Sequence, residues 1–277
     1  MKSWSAALLV AIAAVGLGTG GTILGTAERP AGGDFALISS PAMAAEAEAP
    51  FSEAQKDEMR KVFRDYLMQN PEIIREAMDE LQRKQEEAQT AAAAAAISGD
   101  KRIFSSKRQV VIGNPDGDMT LVEFFDYNCG YCKRAHADMK RLLEEDKNLR
   151  IVLKEFPILS QGSLEAAQIG VAINMIAPEK YFEFHDALIT ERGQVDGAKA
   201  LAVAEDLGLD IGKLKEMAQS AETRATIEEV RELGDKLAIN GTPSYVTPRE
   251  LLVGAVGYDT LKAKIEEARK ACADTPC

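Results

Sequence analysis

The chain has 277 residues, room for one large domain or one ordinary domain with additions. Its 44 acidic against 33 basic residues, formally −11, argue against a nucleic-acid binder, which needs a basic face. Only two histidines, His136 and His185, are present, which argues against a multi-histidine metal protein. The four cysteines fall in two close pairs, Cys129/Cys132 and Cys272/Cys277, a usage that suits an oxidising compartment.

Lys2 is followed by no charged residue until Glu28. Residues 6–17 have the length of the apolar core of an export signal, and a Gly/Thr-rich tail follows. Cleavage after Ala27 fits the usual length, whereas Ala42-Met43-Ala44 is a better small-x-small site lying further along. The rival reading is an uncleaved anchor, since the uncharged stretch is long enough to span a bilayer, though its Gly and Thr content makes it a weak span. Both readings put the bulk of the chain outside the cytoplasm, and a cleaved signal is the expectation. Residues 28–50, rich in Ala, Gly, Pro and Glu without apolar periodicity, read as a flexible leader.

Order is expected from Phe51. Ser52 with Gln55 is a capping-box start, and Met59, Val62, Phe63, Tyr66 and Leu67 mark one helical face. Asn70-Pro71 is expected to end that helix and start another, with Asn70 as N-cap. The second stripe, Ile73, Ile74, Ala77, Met78 and Leu81, fades into polar residues 82–90 and the alanine run 91–96, which look like a spacer. A short helical pair is marginal in water unless its apolar face is covered. The cover is either its own domain or copies of itself, and the spacer favours an oligomerisation stalk over 51–97.

A second domain is expected over 109–272, with a tail at 273–277. Residues 110–112 and the doubly apolar 120–125 read as strands, 129–145 as a helix and 150–156 as the next strand. Strand, helix, strand is a βαβ unit and argues for the α/β class. A helical insertion over 163–239 follows, as helices 163–176, 178–190, 197–207, 211–219 and 222–239. Strands resume at 244–247 and 250–256 around the Thr247-Pro248-Arg249-Glu250 turn, and a last helix is capped near Asp259.

Phe124-Phe125-Asp126-Tyr127-Asn128-Cys129-Gly130-Tyr131-Cys132-Lys133 places two cysteines one turn apart at a helix start. The unpaired N–H groups and the dipole there favour a thiolate, the reactive form. Cys129, nearer the exposed turn, is the expected attacking sulfur, and Cys132 the sulfur that resolves a mixed disulfide. Gly130 and Tyr131 carry no group titrating near neutrality, so the couple should be milder within a class spanning about −270 to −120 mV. Glu123, inside Leu-Val-Glu-Phe-Phe, is costly to desolvate and should have a raised pKa; it is expected either to shuttle protons for Cys132 or merely to pair with Lys154. The alternative for Cys-x-x-Cys is half a zinc site with His136 as third ligand, but no second Cys/His pair is evident and no metal is expected. His136 otherwise reads as a surface residue and His185 as a packed core histidine. Cys272 and Cys277 are the candidate structural disulfide, closing a short loop and so stabilising modestly.

These residues resemble the DsbA-like branch of the thioredoxin superfamily over about residues 113–271, carried by the Cys-Gly-Tyr-Cys stretch, Lys154-Glu155-Phe156-Pro157-Ile158-Leu159, the insertion and Gly241-Thr242-Pro243-Ser244. Residues 51–85, including Arg64-Asp65-Tyr66-Leu67 and Asn70-Pro71-Glu72, resemble the N-terminal helical segment of ScsC-like proteins. The resemblance implies a thioredoxin fold, a cis Pro243, a Thr242 backbone that pairs with a substrate strand near Gly130 and Tyr131, and a buried acid at Glu123. The Gly-Tyr dipeptide is similar to that of the isomerase DsbC, and ScsC-like proteins with this extension are trimeric isomerases linked to copper tolerance. The expected function is therefore a periplasmic disulfide isomerase, a homotrimer through 51–97. It would act without a cofactor on mis-disulfided client proteins, with a membrane thiol reductase of ScsB type as electron donor. A dithiol oxidase on the same residues, and a Cu(I) chaperone using Cys129 and Cys132, are the alternatives.

Overall fold

The computed structural model describes residues 51–274. The export segment in either reading, the leader and Cys277 lie outside the described residues. The chain falls into two compact units, one ending at Phe63 and one beginning at Arg64. In the first, the capping box forms as its residues dictate: the Ser52 N–H donates to Gln55 Oε1 at 2.8 Å and the Gln55 N–H to Ser52 Oγ at 3.3 Å, opening α1 (Glu53–Gln69).

The second unit carries the end of α1, where Asn70 turns its side chain back, donating from Nδ2 to the Tyr66 carbonyl at 2.8 Å. Pro71, not Asn70, is therefore the N-cap of α2 (Glu72–Gly99), with no side-chain cap. The residues read as a spacer are helical throughout. Alanine has the highest helix propensity and no breaker intervenes before Gly99. The last turns of α2 also bury Ala93 and Ile97. Asp100, beyond its end, accepts from Lys236 Nζ at 2.6 Å and from the Arg102 guanidinium at 2.8 Å, which ties α2 and the one-turn helix α3 (Arg102–Ser105) to α9 (Ala221–Lys236).

The sheet has five strands: β1 (Val110–Gly113), β2 (Met119–Phe125), β3 (Leu149–Glu155), β4 (Ser244–Val246) and β5 (Leu251–Val253), in the order β1-β3-β2-β4-β5. β2 and β3 are parallel around α4 (Gly130–Glu145), and every other pairing is antiparallel. Side chains alternate between two cores. Leu121, Phe125, Ile151 and Leu153 face α4, the last helix α10 (Tyr258–Asp274) and the insertion helices α5 (Gln161–Ile176), α6 (Tyr181–Ile189), α7 (Gly197–Asp206) and α8 (Ile211–Ala218). Val122, Phe124 and Val152 face Ile97, Ile103 and the α9 residues Val230 and Leu233.

This is the mixed α/β thioredoxin arrangement with a helical insertion that the sequence implies. Among the described residues no helix is long and apolar enough to cross a membrane.

Candidate active site

β2 delivers its C-terminal end to a short loop, residues 126–129, fixed by two polar side chains, buried Asp126 and half-buried Asn128. Asp126 Oδ1 accepts the Asn128 N–H at 2.7 Å, and Oδ2 accepts the N–H groups of Ile158 and Leu159, both at 3.0 Å. Asn128 reaches the insertion, donating to Ser163 Oγ at 3.0 Å and to the Val195 carbonyl at 2.8 Å and accepting the Val195 N–H at 2.7 Å. Neither residue was singled out from the sequence. A polar Asp-x-Asn directly after an apolar strand was the signal available.

Cys129 is the N-cap of α4, with extended backbone, and its Sγ accepts the Cys132 N–H at 3.4 Å. Its thiol donates to the Thr242 carbonyl at 3.0 Å. The Thr242–Pro243 peptide is cis and precedes β4, so the loop before β4 meets the sulfur of α4. The Cys132 thiol, the Thr242 side chain and the N–H groups of Cys132 and Tyr131 together hold the Cys129 thiol down to about 5, against the opposing effect of burial. Cys132 is raised far above an ordinary thiol, first by burial, then by the Cys129 sulfur and the Glu123 carboxylate. The two sulfurs thus differ strongly: one ionises readily, while the other keeps its proton until a base removes it.

Glu123 lies on the face of β2 that meets α4 and is buried. Burial pushes it up to about 8, with the Tyr245 hydroxyl pulling the other way and the Cys129 charge adding to the rise. The expected pairing with Lys154 does not form. Glu123 stands opposite Leu153 and Tyr245, whereas Lys154 stands opposite Phe124 and so points to the other face of the sheet. There its Nζ donates to the Arg102 carbonyl at 3.2 Å, and burial lowers it to about 8. Tyr245, opposite Glu123 on β4, is buried, and its hydroxyl makes no hydrogen bond of normal geometry.

His136 is not on the surface. It is buried, with Nε2 2.6 Å from Asp186 Oδ1 and Nδ1 unpartnered. The α4 face that carries Cys132 packs on the insertion, which the sequence pattern of α4 alone did not show. His185 is buried as expected, packed on Phe125, Tyr127 and Tyr181. Among the described residues no group of three or more His, Cys, Asp or Glu could hold a metal ion. Gly130 and Tyr131 sit in the first turn of α4; Tyr131 is 60% exposed, and Ile158 (43%) and Leu159 (53%), in the loop held by Asp126, are exposed as well. Cys272 lies in the last turn of α10, half-buried against the core, and its expected partner Cys277 lies outside the described residues.

Residues 120–266 match the family model described as DSBA-like thioredoxin domain, and residues 55–88 match that of the copper resistance protein ScsC N-terminal domain. A solved thioredoxin-like oxidoreductase from Silicibacter pomeroyi DSS-3 is 39% identical, covering 62% of this chain and 99% of its own, with a TM-score of 0.60. ScsC of Proteus mirabilis in a transitional conformation is 29% identical over 80% of this chain and 98% of its own, with a TM-score of 0.59. Disulfide bond formation protein D of Bacillus subtilis is 26% identical over 63% of this chain and 82% of its own length. The chain also matches the Na(+)/H(+) antiporter NhaA 1 of Salinispora arenicola at 26% identity over 58% of its own residues, spanning only 25% of that protein's length. The chain belongs to the DSBA-like thioredoxin domain family and carries a thiol:disulfide oxidoreductase domain of DsbA and ScsC type behind an ScsC N-terminal domain.

Proposed function

We propose that the protein is a periplasmic disulfide isomerase that works as an oligomer, a trimer by its resemblance to ScsC. The observation that carries this reading is the apolar face left in water by the N-terminal helices. Tyr66, Met68, Ile74, Met78 and Leu81 of α1 and α2 are each at least half exposed. Ile74, Met78 and Leu81 fall on one face of α2 by their i, i+4, i+7 spacing, and an exposed apolar stripe of this kind on a helix marks a partner. A second copy of the same segment offers the same stripe, and the resemblance of residues 51–85 to the ScsC segment points to that partner. Several redox sites on one stalk act on one client at a high effective concentration.

In the proposed reaction the Cys129 thiolate attacks one sulfur of a wrong client disulfide. A mixed disulfide forms, and the departing client thiolate takes up a proton or attacks elsewhere in the client. Where the client does not resolve the bond, Glu123 accepts the Cys132 proton. The Cys132 thiolate then attacks Cys129 Sγ, releasing the client as a dithiol and leaving a Cys129–Cys132 disulfide. Two electrons from a membrane thiol reductase of ScsB type return the pair to the dithiol. Tyr131, Ile158 and Leu159 offer exposed apolar side chains to the client, and the Thr242 backbone pairs with the client strand.

Refolding of scrambled ribonuclease, compared with oxidation of reduced ribonuclease, tests the reading. Reshuffling with little net oxidation is expected. The opposite balance makes the protein a dithiol oxidase.

A further inference from the structure

A second buried acid lies beneath the redox loop, outside the site described above. Glu155 ends β3 and stands opposite Phe125, so it shares the α4-facing side of the sheet with Glu123. One carboxyl oxygen, Oε1, accepts two phenolic hydrogen bonds, from Tyr181 Oη of α6 at 2.7 Å and from Tyr127 Oη at 3.3 Å. Tyr127 is two residues before Cys129. Its Oη also lies 3.4 Å from His185 Nδ1 of α6. From α5, Gly170 leaves the room for this: a Cβ there would stand 2.2 Å from Glu155 Oε1. The groups facing Glu155 are thus Asp126 and Tyr127 of the loop, Tyr181 and, through Tyr127, His185 of α6, and Gly170 of α5. No cation contributes to its environment among the described residues, and burial pushes it up to about 8. A buried acid without a charge partner is costly to keep for packing alone, since an apolar residue would fill the space without desolvating a carboxyl.

We propose that Glu155 is a positioning residue for the redox loop: by holding Tyr127 and Tyr181 on one oxygen it locks the loop that presents Cys129 to the helical insertion. While Glu155 is neutral the lock closes without buried charge. Its ionisation at alkaline pH strengthens both phenolic hydrogen bonds, which favour the carboxylate, and places a charge beside Asp126, so the hold on the loop changes near pH 8. The inference rests on Cys129 being the attacking sulfur.

The test is the pH profile of iodoacetamide alkylation of the reduced full chain, measured for the parent protein and for Glu155→Gln, Glu155→Leu and Tyr181→Phe. Glu155→Gln keeps the acceptor and the shape and cannot ionise. It should hold the acid limb of the parent profile while losing the alkaline change near pH 8. Glu155→Leu and Tyr181→Phe should move the Cys129 midpoint upward by about one unit, a tenfold loss of thiolate on the acid side. Profiles identical to the parent in folded Glu155→Gln and Tyr181→Phe proteins overturn the proposal, whatever happens to Glu155→Leu. Alkylation that persists in Cys129→Ser instead overturns the assignment of the attacking sulfur, so the two failures are distinct.

Discussion

Replacing Glu123 by Gln separates the chemistry of the buried acid from its packing, because the amide nearly preserves shape and removes the titration. With the acid at about 8, only about a tenth of Glu123 is ionised at pH 7, and this fraction grows as pH rises. The step it serves is removal of the Cys132 proton, which burial otherwise holds in place. General-base removal contributes about 100-fold or more where the base is fully ionised. The variant should therefore release a Cys129 mixed disulfide about 100-fold more slowly at pH 8.5 and only about tenfold more slowly at pH 7.

Stability moves the other way. The carboxyl is raised from 4.5 to about 8 on folding, so the native state binds the extra proton. Stability present below pH 4.5 is lost as pH rises through 8. That span corresponds to a cost on the order of 5 kcal/mol at alkaline pH, and Glu123→Gln should recover a large part of it. The assay is acid-quenched mass spectrometry of the mixed disulfide with a thiol peptide across pH 6–9, alongside urea unfolding at the two ends. A release profile in Glu123→Gln parallel to the parent's refutes the base role, even if the stability gain is seen.

Cys132→Ser should accumulate mixed disulfides with clients through Cys129, visible on non-reducing gels, whereas Cys129→Ser should form none. With its thiol held down to about 5, Cys129 should alkylate with a midpoint near that pH. The stability it lends the reduced form should be present above an ordinary thiol's pKa and lost as pH falls through 5, so thermal scans of reduced and oxidised protein should converge in acid. Gly170→Ala should cost about 1–3 kcal/mol despite the better helix former, because its Cβ overlaps the Glu155 carboxyl, and urea unfolding reads the change.

The parts legible in the sequence were those set by local chemistry. The capping box at Ser52 and Gln55, the doubly apolar β2 and the cysteine pair on the first turn of α4 each declare themselves within a few residues. The cis Pro243 came from resemblance, since nothing in a Thr-Pro dipeptide announces the isomer.

What stayed hidden depended on register and on distant partners. Lys154 reads as a partner for Glu123 until the parallel register places Glu123 opposite Leu153 and turns Lys154 to the other core. His136 reads as exposed because nothing near it in the chain reveals Asp186, fifty residues on. The docked end of α2 reads as a spacer because alanines carry no stripe, yet Ala93 and Ile97 are the residues that touch the domain. Glu155, between Lys154 and Phe156, gives no sign of its two tyrosines.

The isomerase reading is tested most directly by scrambled ribonuclease refolding with the intact chain and with Ile74→Ser/Met78→Ser/Leu81→Ser, which alters exposed side chains and leaves Ala93, Ile97 and the redox site in place. Oligomeric mass and reduction of a small disulfide peptide are measured on both proteins. The triple variant is expected to be monomeric, to keep peptide reduction within about twofold and to lose about tenfold or more of the reshuffling rate. A monomeric variant that reshuffles ribonuclease as well as the intact chain, or an intact chain that does not reshuffle at all, contradicts the account.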